Sequence, residues 1–242
     1  MWNNLQTQYE SRGRTFHIPT EKGKAIGFQL RDLLADYPFE PFYRHLGGGS
    51  SVRILHAHRG NRWFATADIS RFFANIMRWR VAQSLRAAGI EQHRHFAKWS
   101  TVKGEGGYVL PMGFPQSTLL ATMVMQQSVL GKFLRTAARS VTLQVYLDDI
   151  SISSNDLDRL NHVYGELRHA VIHAGFALNQ EKSQRPAASV ELFGCVLEQG
   201  RAVVSDARRA EFYAQDRGSW SAEWFERYCA AVEVGNASDR AA

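Results

Sequence analysis

The chain has 242 residues, 45% of them hydrophobic, a formal net charge of +6 and a pI of about 9.5, which fits a globular protein with its own core and excludes a disordered or fibrous one. The basic balance favours a polyanionic partner. Only Cys195 and Cys229 are present, in unrelated contexts, so a disulfide scaffold and a cysteine zinc site are not expected and a reducing, cytoplasmic setting follows; with no basic start before an apolar run and no stretch approaching about 18 apolar residues, neither a signal peptide nor a membrane partner is expected.

In chain order, Ala25 to Leu34 is amphipathic and leads to a loop with Pro38, Pro41 and the run Gly47, Gly48, Gly49, so a helix feeding a flexible hairpin is predicted. From Trp63, Ala65 and Ala67 alternate with Phe64, Thr66 and Asp68, which reads as a strand with Asp68 near its end. Arg78 to Ala88 reads as a helix ended by Gly89, and Gly104, Gly106 and Gly107 mark a turn into a strand at Tyr108 to Pro111. Leu119 to Leu134 carries Leu120, Met123, Leu130 and Leu134 on one helical face. Val141, Leu143, Val145 and Leu147 alternate with Thr142, Gln144, Tyr146 and Asp148, and Ile150 and Ile152 follow, so a hairpin with Asp148 and Asp149 at its tip is predicted. Leu157, Leu160, Tyr164, Leu167 and Val171 return to helical spacing before Gly175. The order implies an α+β fold with helices on one face of an antiparallel sheet. Beyond about Ser205 the tail is polar and helical, with Phe212, Tyr213, Trp220, Trp224, Phe225 and Tyr228.

Chemistry concentrates at Tyr146, Leu147, Asp148 and Asp149, two adjacent carboxylates between apolar strands. Aspartate is a good turn former, so a plain polar turn is one reading. Asp68, at another strand end, reads by itself as a helix N-cap. Three carboxylates at two strand ends of one sheet can converge, and oxygen donors of this kind suit Mg²⁺ or Mn²⁺. A two-metal site of that sort promotes in-line phosphoryl transfer. His169 and His173, four apart on a predicted helix, lack a third zinc ligand and read as a solvated face. Lys103 to Gly107 is too loose for a phosphate loop and reads as a turn.

Thr66 to Phe73 (TADISRFF) resembles the first metal-binding motif of reverse transcriptases, Leu110 to Ser117 (LPMGFPQS) their second and Tyr146 to Asp149 (YLDD) their third. Asn179 to Ser183 (NQEKS) and Phe193 to Cys195 (FGC) are similar to the two motifs that follow, so the resemblance covers roughly residues 44 to 197. Five motifs in register are far more specific than one tetrapeptide. The resemblance implies a right-hand polymerase palm with short fingers and a rudimentary helical thumb: residues 1–62 as N-terminal helix and fingers, 63–197 as palm, 198–242 as thumb or helical tail.

It further implies an RNA-directed DNA polymerase that adds deoxynucleotides to a nucleic-acid 3′ end with two Mg²⁺ ions, Mn²⁺ being an alternative. Asp68 and Asp148 resemble the metal-bridging carboxylates, Asp149 the less direct third and the Ile69 carbonyl an additional ligand; Lys182 is similar to the lysine that protonates pyrophosphate. Arg44 and Arg53, flanking the glycine run, resemble fingers residues that grip the triphosphate. Arg71, Phe72 and Phe73 fall in the nucleotide site by the same resemblance, Phe73 as the bulky residue against a ribose 2′-hydroxyl, with a core aromatic as the other reading, above all for Phe72. Gly113 resembles the glycine that admits close backbone approach to the nucleotide. Met112 stands where the family usually has a glutamine on the sugar, and Gln116 is either a substitute polar group or a helix-start residue. Implied partners are an RNA template or non-coding RNA, the DNA product, dNTPs, and a protein partner or oligomer. The GFPQS form of the second motif, and the 45 residues left after Leu197, resemble small bacterial reverse transcriptases of anti-phage defence. Two alternatives stay open: untemplated, terminal-transferase-like DNA synthesis, suggested by Met112 and the small thumb, and a non-catalytic RNA-binding or subunit-interaction palm.

Overall fold

The computed structural model describes residues 3–11, 13–46, 50–215 and 218–237. In chain order it contains β1 (Leu5–Ser11), β2 (Arg14–Pro19), α1 (Glu21–Leu33), α2 (Ser51–His58), β3 (Trp63–Asp68), a 3₁₀ turn at Phe73–Asn75, α3 (Arg78–Ala87), α4 (His93–Trp99), β4 (Val102–Gly104) and β5 (Gly107–Val109). Then follow α5 (Ser117–Gln127), α6 (Val129–Ala137), β6 (Thr142–Tyr146), β7 (Asp149–Ser154), α7 (Leu157–His173), β8 (Gln184–Ala187), β9 (Ser189–Leu192), β10 (Cys195–Glu198), β11 (Arg201–Val204), α8 (Asp206–Tyr213) and α9 (Ser219–Glu233). Among the described residues no helix is long and apolar enough to cross a membrane. The glycine run Gly47 to Gly49 lies outside the described residues.

The chain gathers into two compact units, each assembled from three segments: residues 1–41, 69–133 and 170–177 form the first, and 42–68, 134–169 and 178–242 the second. In the first unit, β1 and β2 form an antiparallel hairpin that pattern reading passed over, although Phe16 and Ile18 alternate with Thr15 and His17. Thr20 caps α1 through its side-chain oxygen on the Gly23 N–H. The single helix predicted from Leu119 to Leu134 is broken at Ser128, whose backbone is extended (φ −79°, ψ 175°). The Ser128 hydroxyl donates to the Met125 carbonyl and accepts from the Gly131 N–H. A Cβ on Gly131 would lie 2.1 Å from the Gln126 carbonyl oxygen, so the break requires glycine there.

The second unit is built on a four-stranded sheet of order β6-β7-β3-β8, antiparallel at every pairing. Its register decides the chemistry, because side chains alternate between faces. Ala65, Ala67, Leu143, Val145, Ile150 and Ile152 share one face and are buried. Thr66, Asp68, Gln144, Tyr146, Asp149 and Ser151 share the other. A second sheet, β11-β10-β9, joins Leu192, Leu197 and Val204 to Ile54, Leu55 and Phe64 in one core that also takes Phe225, Cys229 and Val232 of α9. The C-terminal tail is therefore partly core of this unit, with Phe212 stacked on Phe225 at 3.9 Å, while Trp220 and Trp224 on the same helix stay exposed. Asn236 pins the end by bonding both the N–H and the carbonyl of Ala202.

Candidate active site

β6 and β7 are joined by the two residues Leu147 and Asp148, so Asp148 occupies the turn while Asp149 is already the first residue of β7, facing Tyr146. Leu147 has φ +58°, a conformation that costs an L-residue roughly 1–2 kcal/mol. Among the described residues only Arg71, Leu147 and Phe193 combine a side chain with a positive φ. All three lie in segments singled out by sequence: TADISRFF, YLDD and FGC. Strain persists only where the surroundings over-determine it, and it collects at functional sites.

Asp68 is the register partner of Asp149. Directly opposed residues of an antiparallel pair point to the same face with Cβ atoms about 5 Å apart, so the register sets two carboxylates side by side, Asp68 being only 8% exposed. Like charges opposed in this way destabilise a sheet unless a cation lies between them. The donor set is oxygen only, which fits a hard divalent ion. Among the described residues no three His, Cys, Asp or Glu side chains are gathered as a ready-made metal cluster.

The backbone of Asp68 is clamped from both sides by one turn. Its carbonyl accepts from the Asn179 N–H at 2.8 Å and its N–H donates to the Ser183 hydroxyl at 3.1 Å. The turn closes on itself through Ser183 N–H to the Asn179 carbonyl and Glu181 N–H to the Asn179 side chain. Lys182 sits exposed on it, next to the residue that grips Asp68. The edge of β6 is covered by Phe42 to Arg44: the Val145 N–H donates to Phe42 and the Arg44 N–H to Val145. The Arg44 Nε donates to the Gln144 side chain on the carboxylate face, so Arg44 lies on that face but anchored to the sheet. Arg53 is exposed on the first turn of α2, which Ser50 caps. His58, at the other end of α2, is buried under the same face between Ser153 (2.7 Å) and Ser151 (2.8 Å). Burial pushes its imidazole down to about 3, so it is a neutral structural bridge between strand hydroxyls.

His45 was invisible to pattern reading. Its Nδ1 is 3.0 Å from the Leu147 N–H, and since an N–H can only donate, Nδ1 accepts and the ring proton resides on Nε2. Burial pushes this imidazole down to about 4, opposed by a hydrogen bond with the Val145 backbone. The Tyr146 ring packs between His45 at 5.7 Å and Phe193 at 5.6 Å, both edge to face.

The first unit carries the other residues named from sequence. Ile69 is buried directly after Asp68 in the chain. Arg71 is exposed and ion-paired to Glu105 at 3.0 Å, an exposed pair of small energetic value. Phe72 is 3% exposed and packs on Phe176 at 5.6 Å, which favours the core-aromatic one of its two readings. Phe73 is half-buried beside it. Gln116 stands at the start of α5, is fully buried, donates to the Ser100 hydroxyl at 3.1 Å and fills the space left by the missing side chain of Gly27, which favours the helix-start one of its two readings. The close backbone approach expected at Gly113 is made by protein. A Cβ there would lie 2.4 Å from the His17 carbonyl oxygen, and φ is +103°, while the His17 N–H donates to the Met112 carbonyl at 2.8 Å. The loop at Met112 and Gly113 is thus bound by β2. His169 and His173 are both exposed on α7.

A family profile described as "Reverse transcriptase (RNA-dependent DNA polymerase)" matches residues 14–197. Among solved structures, one titled as the foamy viral protease-reverse transcriptase dRH in complex with ds DNA is similar with a TM-score of 0.52 and 17% identity. That alignment covers 88% of this chain and 34% of the viral one; the chain spans about a third of that protein, and the likeness is one of fold.

Proposed function

The chain belongs to the reverse transcriptase family, and on that footing we propose that it is an RNA-directed DNA polymerase whose carboxylates Asp68, Asp148 and Asp149 hold two divalent metal ions for transfer of a deoxynucleotide to a 3′ end. The observation that carries the reading is the register that opposes Asp68 and Asp149 on one sheet face beside a strained two-residue turn. When bound, the metals activate the attacking hydroxyl and neutralise charge on the leaving pyrophosphate. The chain's own groups orient them: the turn Asn179 to Ser183 fixes the Asp68 backbone and offers Lys182 as a proton donor to pyrophosphate, and Arg44 and Arg53 supply cations for phosphate. Ile69 contributes a backbone oxygen in this reading, and Phe73 closes the sugar site to a 2′-hydroxyl.

Mg²⁺-dependent incorporation of dNTPs on an RNA template by the purified chain, lost in a folded Asp148→Asn variant, is the expected outcome. Unchanged incorporation by that variant would remove Asp148 from the site. Untemplated synthesis is a second reading, favoured by one observation: the Met112 and Gly113 loop is taken up by β2. Equal product lengths with and without template would decide for it. A cytoplasmic role in bacterial anti-phage defence extends the proposal and rests on the GFPQS form of the second motif. A protein partner or second copy fits the exposure of Trp220 and Trp224, and light scattering on the isolated chain tests it.

A further inference from the structure

The outer edge of β6 is paired at Val145. Val145 exchanges both backbone hydrogen bonds with the Phe42 to Arg44 segment. The next outward donor is the Leu147 N–H, and it falls in the turn, where the chain has φ +58° and no strand of the described residues runs alongside to receive it. Its acceptor is a side chain, His45 Nδ1, at 3.0 Å. The ring is held by edge-to-face contacts with Tyr43 (6.4 Å) and Tyr146 (5.7 Å). Its tautomer is fixed by the bond it receives, and burial keeps it neutral near neutral pH, so the acceptor lone pair is present under working conditions.

From this geometry we infer that His45 is a positioning residue of the polymerase site, whose Nδ1 holds the Leu147 amide so that the strained turn presents Asp148 and Asp149 in one fixed orientation. The inference rests on the polymerase reading above. A two-residue turn carrying a leucine at positive φ has lower-energy alternatives, and each would swing Asp148 relative to Asp149. A catalytic group displaced by about 1 Å loses on the order of a hundredfold in rate. Among the described residues, the His45 bond reaches the turn's own amide from outside the hairpin and so bears directly on its conformation. Tyr146, clasped between His45 and Phe193, keeps the strand end in place but has no grip on the amide that follows.

The test separates acceptor from packing. His45→Asn puts Oδ1 where Nδ1 stands and keeps the acceptor; His45→Phe keeps a ring against Tyr43 and Tyr146 and removes it. Single-turnover incorporation with Mg²⁺ is expected to fall at least tenfold in rate for His45→Phe, with the apparent dNTP affinity within about threefold of wild type, and to recover to within a few-fold in His45→Asn. Amide hydrogen exchange supplies a readout independent of activity: the Leu147 amide is expected to be protected in wild type and His45→Asn and at least tenfold less protected in His45→Phe. A folded His45→Phe protein with wild-type rate, or a His45→Asn protein as slow as His45→Phe, overturns the inference. An unprotected Leu147 amide in wild type overturns it without any variant folding. Loss of activity in Asp148→Asn with no effect at His45 refutes the positioning role alone; an inactive wild type refutes the polymerase reading and this inference with it.

Discussion

Lowering the pH should weaken the fold through His58, and the size of the effect follows from where that residue lies. The imidazole is buried beneath the carboxylate face with both ring nitrogens engaged by Ser151 and Ser153, and among the described residues no charged group bonds it. Burial holds its pKa at about 3, against 6.5 in an unfolded chain. A histidine depressed in this way contributes its full stability above 6.5 and loses it as the pH falls towards 3, because the unfolded chain takes the proton first. By pH 5 the unfolded imidazole is almost fully protonated and the folded one hardly at all, so the step from pH 7 to pH 5 costs about 2 kcal/mol from this group. Burial depresses His45 and His17 too, which adds a loss of the same sign, so the contribution of His58 is isolated by difference. Urea unfolding at pH 7 and pH 5 should be run on wild type and on His58→Gln, whose amide can engage both serines but does not titrate. The variant should lose about 2 kcal/mol less than wild type over that interval. Equal losses would mean that His58 is not the buried, neutral bridge described.

Two further substitutions probe the first unit. Gly113→Ala sets a methyl 2.4 Å from the His17 carbonyl at a φ of +103°; the unit should be destabilised by about 3 kcal/mol and the His17 amide should exchange faster, and wild-type stability in thermal melts would show that β2 does not press on this loop. Phe73→Ala, if the half-buried ring closes the sugar site, should raise rNTP use relative to dNTP at least tenfold; unchanged discrimination in a competition assay would make Phe73 a packing residue like Phe72.

The residues that alternate or carry charge in a distinctive order were readable in advance. Trp63 to Asp68 and Thr142 to Ile152 announced a strand and a hairpin because apolar side chains recur with period two, and TADISRFF and YLDD put Asp68, Asp148 and Asp149 into one expectation with Asp149 as the less direct third, whereas the register opposes Asp68 to Asp149. What stayed hidden depends on partners distant in sequence. His45 acquires its role only because Phe42 to Arg44 lies along β6, about 100 positions away, and His58 only because α2 covers Ser151 and Ser153. Gln116 looked like a polar group near a nucleotide loop, and nothing local says that Ser100 and Gly27 enclose it. The break at Ser128 was missed because Leu120, Met123, Leu130 and Leu134 keep one helical period across it. The tail's aromatics divide between core and solvent by helix face: Phe225 is buried on α9 while Trp220 and Trp224 are not.

The central claim is that the opposed carboxylates of β3 and β7 form a metal-dependent polymerase centre, and Asp68→Asn tests it most directly. Removing one of two opposed like charges relieves repulsion, so without Mg²⁺ the variant should melt at or above the wild-type temperature. It should also lose the stabilisation that Mg²⁺ or Mn²⁺ gives wild type and lose dNTP incorporation on an RNA template by at least a hundredfold. A folded Asp68→Asn protein that is still stabilised by the metal and still extends the primer at the wild-type rate would contradict the account.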